Sequence, residues 1–181
     1  MSFPLPAIAA SMALLAPFGA DGRGASVEAF FAGARSGAQA VSFDQGAVPV
    51  GARIGVVERT GPDGTAVELT VHGLQAHRMF GAHVHQKTCG TVPDASGPHY
   101  QDVKDPRQPS TDPAYANARN EVWLDFTTDG QGDGASVAHV TWRFRAGQAM
   151  SVVVHAHGTA TAPGQAGTAG ARLACVNVPF E

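Results

Sequence analysis

From residue 39 onward the chain alternates apolar and polar positions with a period of two, and that pattern restricts it to short strands. Eight segments carry it: 39–44, 52–59, 65–72, 79–86, 121–128, 136–144, 150–157 and 171–178. Successive side chains of a strand point to opposite faces, so such alternation describes a sheet with one face in a core. Turn-forming residues separate most segments, as in "GPDG" at 61–64 and "DGQGDG" at 129–134. With 22 glycines, 12 prolines and only 15% charged residues, the composition favours strands and turns over long helices. The fold expected is all-β, an eight-stranded antiparallel Greek-key barrel or sandwich over 39–181 with one long functional loop.

Residues 1–38 read as a separate N-terminal segment. The stretch "MSFPLPAIAASMALLAPFGA" at 1–20 is apolar and uncharged, about the length of a secretory h-region. The first basic residue is Arg23, and Pro4 and Pro6 interrupt the run, so it is an atypical signal peptide or a hydrophobic tail. Residues 26–38 are expected to form a short helix, with Ser26 as N-cap and Val27, Phe30, Phe31 and Ala34 on one face. No later stretch is long and apolar enough for a transmembrane helix. The net charge of -3, without a run of either sign, argues against nucleic acid or an anionic membrane as partner.

Two loops stand out. Residues 87–120 show little strand or helix pattern, and connections of that length are usually functional or disordered. The loop at 158–170, "GTATAPGQAGTAG", carries no charge. The two cysteines, Cys89 and Cys175, admit a disulfide, a metal half-site or two inert thiols. Neither lies in a C-x-x-C pair, which argues against a thiolate zinc site or a redox motif.

Of eight histidines, four fall where a site needs them. His83 and His85, in "FGAHVH", are two apart on one strand and share a face. His99 follows a Gly-Pro turn in the long loop, and His155 ends the strand "SVVVH". Imidazoles facing an apolar interior are costly unless something satisfies their nitrogens. Four imidazoles without thiolate or carboxylate suit Cu(II), which prefers tetragonal nitrogen coordination and heads the stability order for such ligands. His72, His77 and His139 read as structural or surface residues. His157 reads as an exposed residue beyond the strand end, with an alternate ligand or proton donor as the other reading. Trp123 and Trp142 read as packing residues.

In order along the chain, "FGAHVH", "CG…GPHY", "VVVH" and "GTAGARLAC" resemble the copper–zinc superoxide dismutase family, over residues 39–181. The resemblance implies that His83, His85, His99 and His155 bind copper, and that Arg172 guides the superoxide anion beside it. It also implies that Cys89 pairs with Cys175. Arginine is always charged and forks toward an anion. A bridge from the long loop to a core strand would tie down His99.

The departures from the family are as specific. Its zinc site takes two further histidines and an aspartate from the long loop. Here the stretch from His99 to residue 121 holds no other histidine and offers only Asp102, Asp105 and Asp112. The loop at 158–170 also lacks the family's charged residues. Both losses resemble the copper-only branch, so one copper per chain is expected and zinc is expected to be absent. Glu121 or the loop aspartates are candidates for the group behind His99 that fixes its tautomer. The function implied is superoxide dismutation to dioxygen and hydrogen peroxide at one copper, outside the cytoplasm. The alternative is a non-catalytic copper-binding or storage module, which would have little reason to keep Arg172.

Overall fold

The computed structural model describes residues 24–181. The apolar run at 1–20, with its signal-peptide reading, lies outside the described residues. Ten strands follow in order: β1 (Ser26–Phe30), β2 (Ala32–Gly33), β3 (Ala40–Ser42), β4 (Arg53–Gly61), β5 (Gly64–His72), β6 (Met79–His85), β7 (Phe126–Thr127), β8 (Gly134–Val140), β9 (Ser151–His155) and β10 (Arg172–Asn177). They form a four-stranded sheet, β1-β4-β5-β8, and a six-stranded sheet, β2-β3-β10-β9-β6-β7. All pairs are antiparallel except β2 with β3. Non-consecutive strands lie side by side, β10 beside β3 and β9 beside β6, as the crossovers of a Greek-key sandwich require.

The alternation seen in the sequence sets the core. On β5, Thr65, Val67, Leu69 and Val71 are buried while their neighbours are not. They face Phe80, Ala82 and Val84 of β6, Val152 and Val154 of β9, and Ala174 and Val176 of β10. Phe80 stacks on Phe126 with centroids 5.3 Å apart. The hairpin from β4 to β5 closes with Gly61 opposite Gly64. Gly64 has φ 121°, and a Cβ there would lie 2.0 Å from the Val140 carbonyl oxygen, so only glycine fits.

Two expectations are corrected. Residues 26–38 are not a helix: β1 pairs with β4 from Ser26 opposite Val57 to Phe30 opposite Arg53, so β structure begins ahead of residue 39. Phe30 is 69% exposed and Phe31 1%, opposite faces of extended chain where a helix would have put both on one side. Pairing also satisfies the open edge of β4. The segment 121–128 is a regular strand only at Phe126–Thr127. Its alternation survives, with Val122, Leu124 and Phe126 in the core. The Leu124 N–H bonds the Ala82 carbonyl at 2.7 Å. The ladder is irregular where Glu121, Trp123 and Asp125 turn to the opposite face.

The six-stranded sheet is covered on both sides, unlike an ordinary sandwich sheet. On β6 every residue after Met79 is buried. The outer face is roofed by the loops at 87–120 and 156–170. A Cβ on Gly81 would sit 2.6 Å from the His157 carbonyl oxygen, so the absent side chain lets the second loop lie on the strand. The first loop is fastened by the Cys89–Cys175 disulfide, spanning 86 residues in sequence. The Cys89 N–H also bonds Asn177 Oδ1 at 2.8 Å. Replacing both cysteines by alanine is expected to lower the unfolding free energy by about 2–5 kcal/mol. Urea unfolding of the oxidised parent beside the double variant measures it, and equal midpoints would show that the loop holds without the bridge.

Candidate metal centre

The roofed face of the six-stranded sheet carries the histidines. His83 and His85 stand on β6, and His155 ends β9, opposite Gly81 on one side and Arg172 on the other. His99 comes from the long loop, where an isolated bridge sets it against His85. The Tyr100 N–H bonds the Val84 carbonyl at 2.8 Å. The Tyr100 ring is buried against Phe144, with centroids 4.9 Å apart. The residue beside His99 is thus part of the core, which fixes the loop where it reaches the cluster.

One nitrogen from each of the four rings lies within 4.8 Å of the others. Each ring is held from behind. His83 Nε2 meets Thr159 Oγ1 at 2.7 Å, and that hydroxyl donates to Asp125 Oδ1 at 2.6 Å. The hydroxyl therefore accepts from His83, and the proton sits on Nε2. His85 Nδ1 donates to the Gly97 carbonyl at 2.8 Å, and His155 Nδ1 to that of Gly170 at 3.3 Å. His99 Nδ1 donates to Glu121 Oε2 at 2.8 Å. The four outer nitrogens carry the protons, leaving lone pairs on His83 Nδ1 and on Nε2 of the other three.

Lone pairs facing one another are unfavourable unless a cation lies between them. His85 Nε2 and His155 Nε2 are 3.4 Å apart, and neither has a proton to give the other. His83 Nδ1 is buried with no hydrogen-bond partner. The donor set therefore fits a metal ion bound by four neutral imidazoles.

Burial makes the rings of His83, His85 and His155 hard to protonate. Desolvation first, then the charge of neighbouring imidazoles, holds His83 and His85 well below the ordinary 6.5. The same causes pull His155 down to about 3. Each ring binds a proton less readily folded than unfolded. Above about 6.5 both states are neutral and nothing is lost. As pH falls from there toward about 3, the unfolded chain takes up protons that the folded chain refuses, so stability declines. Thermal melting of the metal-free protein should therefore fall steadily from about pH 7 to about pH 4. A flat profile would mean that these rings protonate as easily in the fold as outside it.

Arg172 joins the face through a break in β10. Arg172 pairs with His155, whereas Ala174 pairs with Val154, so one extra residue is accommodated between them. Leu173 and Ala174 both enter the core, and the bulge re-aims Arg172 to the outer face. Its guanidinium donates to Ser96 Oγ at 2.9 Å and to the Pro93 carbonyl at 3.2 Å. It borders a cleft of about 320 Å³ that reaches His99 and His155, with Gln108, Ser110 and Thr168 also on its wall. His83 and His85 lie beneath, at 0% exposure.

Glu121 stands behind His99, one of the positions considered from the sequence. The loop aspartates are engaged elsewhere: Asp105 with Ser110, Asp102 near Arg145, and Asp112 with the Ala114 N–H. His157 is exposed and outside the cluster, its ring lying against Gly170. His72 pairs with Asp133 at 3.1 Å. Trp142 packs near Tyr100 and donates to the Arg119 carbonyl. Trp123 packs edge-on to His83, and its indole also bonds Glu121. Sequence reasoning missed Thr159 and Asp125, because a threonine in a small-residue loop carries no metal-site signal.

No protein-family model matches the sequence, and no curated protein matches it. Solved structures do. The copper–zinc superoxide dismutase from Brucella abortus is 17% identical, with a TM-score of 0.53, over 85% of this chain and 99% of that one. A double mutant of a SOD-like protein from Bacillus subtilis is 13% identical, with a TM-score of 0.54, over 70% of this chain and 88% of that one. The chain has the two-sheet β fold that these proteins share.

Proposed function

We propose that the chain is a superoxide dismutase of the copper-only branch of the copper–zinc superoxide dismutase family. It would hold one copper on His83 Nδ1 and on Nε2 of His85, His99 and His155. The observation that carries this reading is the set of four inward lone pairs on one face with Arg172 at the same cleft. Copper held there would supply one-electron chemistry, taking an electron from one superoxide, which leaves as dioxygen, and passing it to a second, which takes two protons from water and leaves as hydrogen peroxide.

The chain's own groups supply the rest. Arg172 attracts and orients the anion, with Ser96 and the Pro93 carbonyl fixing its guanidinium at the cleft wall. Glu121 keeps the His99 proton on Nδ1. Thr159 and Asp125 do the same for Nε2 of His83. Burial of His83 and His85 keeps them neutral ligands in mild acid. Glu121 occupies the outer nitrogen of His99, the nitrogen that the family's copper ligand from this loop turns to zinc, which supports a one-metal centre. A disulfide implies an oxidising compartment, which supports export from the cytoplasm. The substrate is the superoxide anion itself, with no nucleic acid or membrane partner.

Elemental analysis after dialysis against both metals is expected to give one copper per chain and no stoichiometric zinc. Copper and zinc both near one per chain would overturn the one-metal reading. Arg172→Ala should slow superoxide turnover about tenfold or more at low salt while copper stays bound. Arg172→Glu should slow it further, and the gap between the variants should narrow as salt rises. Pulse radiolysis of the copper-loaded proteins reads both rates. A loaded parent without turnover would instead indicate a copper-binding module.

A further inference from the structure

Glu121 is 2% exposed, and three donors hold its carboxylate. His99 Nδ1 and Trp123 Nε1 both bond Oε2, at 2.8 and 2.7 Å, and Gln101 Nε2 bonds Oε1 at 2.8 Å. The two donors other than His99 come from fixed elements. Trp123 is bridged to His83 of β6, and its ring meets that histidine edge-on at 6.1 Å. Gln101 is 1% exposed, and its Oε1 accepts from the Asp105 N–H at 2.9 Å and from Gln108 Nε2 at 3.2 Å.

A carboxylate can turn about its own bonds, so one partner does not fix it. Donors on both oxygens do, and they fix it where water is shut out. His99 is the ring of the cluster that most needs such a support. It rides on a loop rather than a strand, and its outer nitrogen faces a side chain rather than a backbone carbonyl.

We propose that Trp123, seconded by Gln101, is a positioning residue of the metal centre: together they lock the Glu121 carboxylate so that His99 keeps its proton on Nδ1 and presents Nε2 inward. The proposal deepens the one-copper reading and rests on it for its consequence in metal affinity. The lock itself exists without metal. Trp123 does two jobs, since its ring packs against one histidine while its N–H reaches the carboxylate behind another. The same donors leave Glu121 little capacity to bind a second cation.

The test separates the N–H from the ring. Trp123→Phe keeps an aromatic face beside His83 and removes the donor. Nitrogen NMR of the metal-free protein reads which ring nitrogen of His99 carries the proton. The parent should show Nδ1–H alone, and Trp123→Phe a mixture of both tautomers. Copper(I) affinity, by competition with a chelator, should fall about tenfold in Trp123→Phe. In a Glu121→Ala background the same change should alter affinity less than about twofold, because the partner it acts through is gone. Gln101→Met, which leaves Trp123 in place, should also mix the tautomers and serves if Trp123→Phe does not fold. An unchanged His99 tautomer in the variants overturns the proposal, as does an equal loss of affinity with and without Glu121. A parent that takes up no copper, with variants that still show the tautomer change, supports the lock and overturns only the superoxide dismutase reading.

Discussion

The outward protons of the four imidazoles decide what the centre of the cluster can hold. A neutral imidazole has one donor and one acceptor nitrogen, and an outside acceptor for the donor fixes which faces inward. Gly97, Gly170, Glu121 and Thr159 are those acceptors. They come from both loops and from the segment after the long loop, so the chemistry at the centre depends on the roof more than on the strands. The strands bring three rings near one another. The roof turns each ring so that a lone pair is left over.

That dependence explains how the loops are attached. The first is fastened by the disulfide, by Asn177 on the Cys89 N–H, and by Tyr100 in the core. The second lies directly on Gly81. It contributes Thr159 to His83 and the Gly170 carbonyl to His155. Neither loop has regular structure beyond a short 3-10 turn at Pro93–Ser96, yet both are held by several independent contacts. Side chains on loops gain precision when a rigid scaffold over-determines them.

Much of this was legible in the sequence, for physical reasons. Period-two alternation marks strands whatever their partners, so β4, β5, β6, β9 and β10 were readable within a residue or two. His83 and His85 could be assigned to one face for the same reason. Helix periodicity misled at 26–38, because Val27, Phe30 and Phe31 fit a helical face equally well on paper. The open edge of β4, a long-range fact, decides in favour of a strand. The segment 121–128 kept its alternation and lost its ladder, since Glu121, Trp123 and Asp125 serve the opposite face. Thr159 and Gln101 were invisible: their roles come from neighbours distant in sequence, Asp125 for one and Glu121 for the other.

The bulge in β10 has a consequence for what one strand can carry. Positions 172 and 175 differ by an odd number, so in an unbroken strand they would face opposite sides of the sheet. The extra residue between Arg172 and Ala174 puts both on the roofed face. The orientation of Cys175 is set by the regular register on its own side of the bulge, and that of Arg172 by the bulge itself. A strand that brought Cys175 to Cys89 without the extra residue would turn the guanidinium away from the cleft. One inserted residue therefore lets a single short strand serve the covalent fastening of one loop and the charge at the mouth of the cleft from the same face.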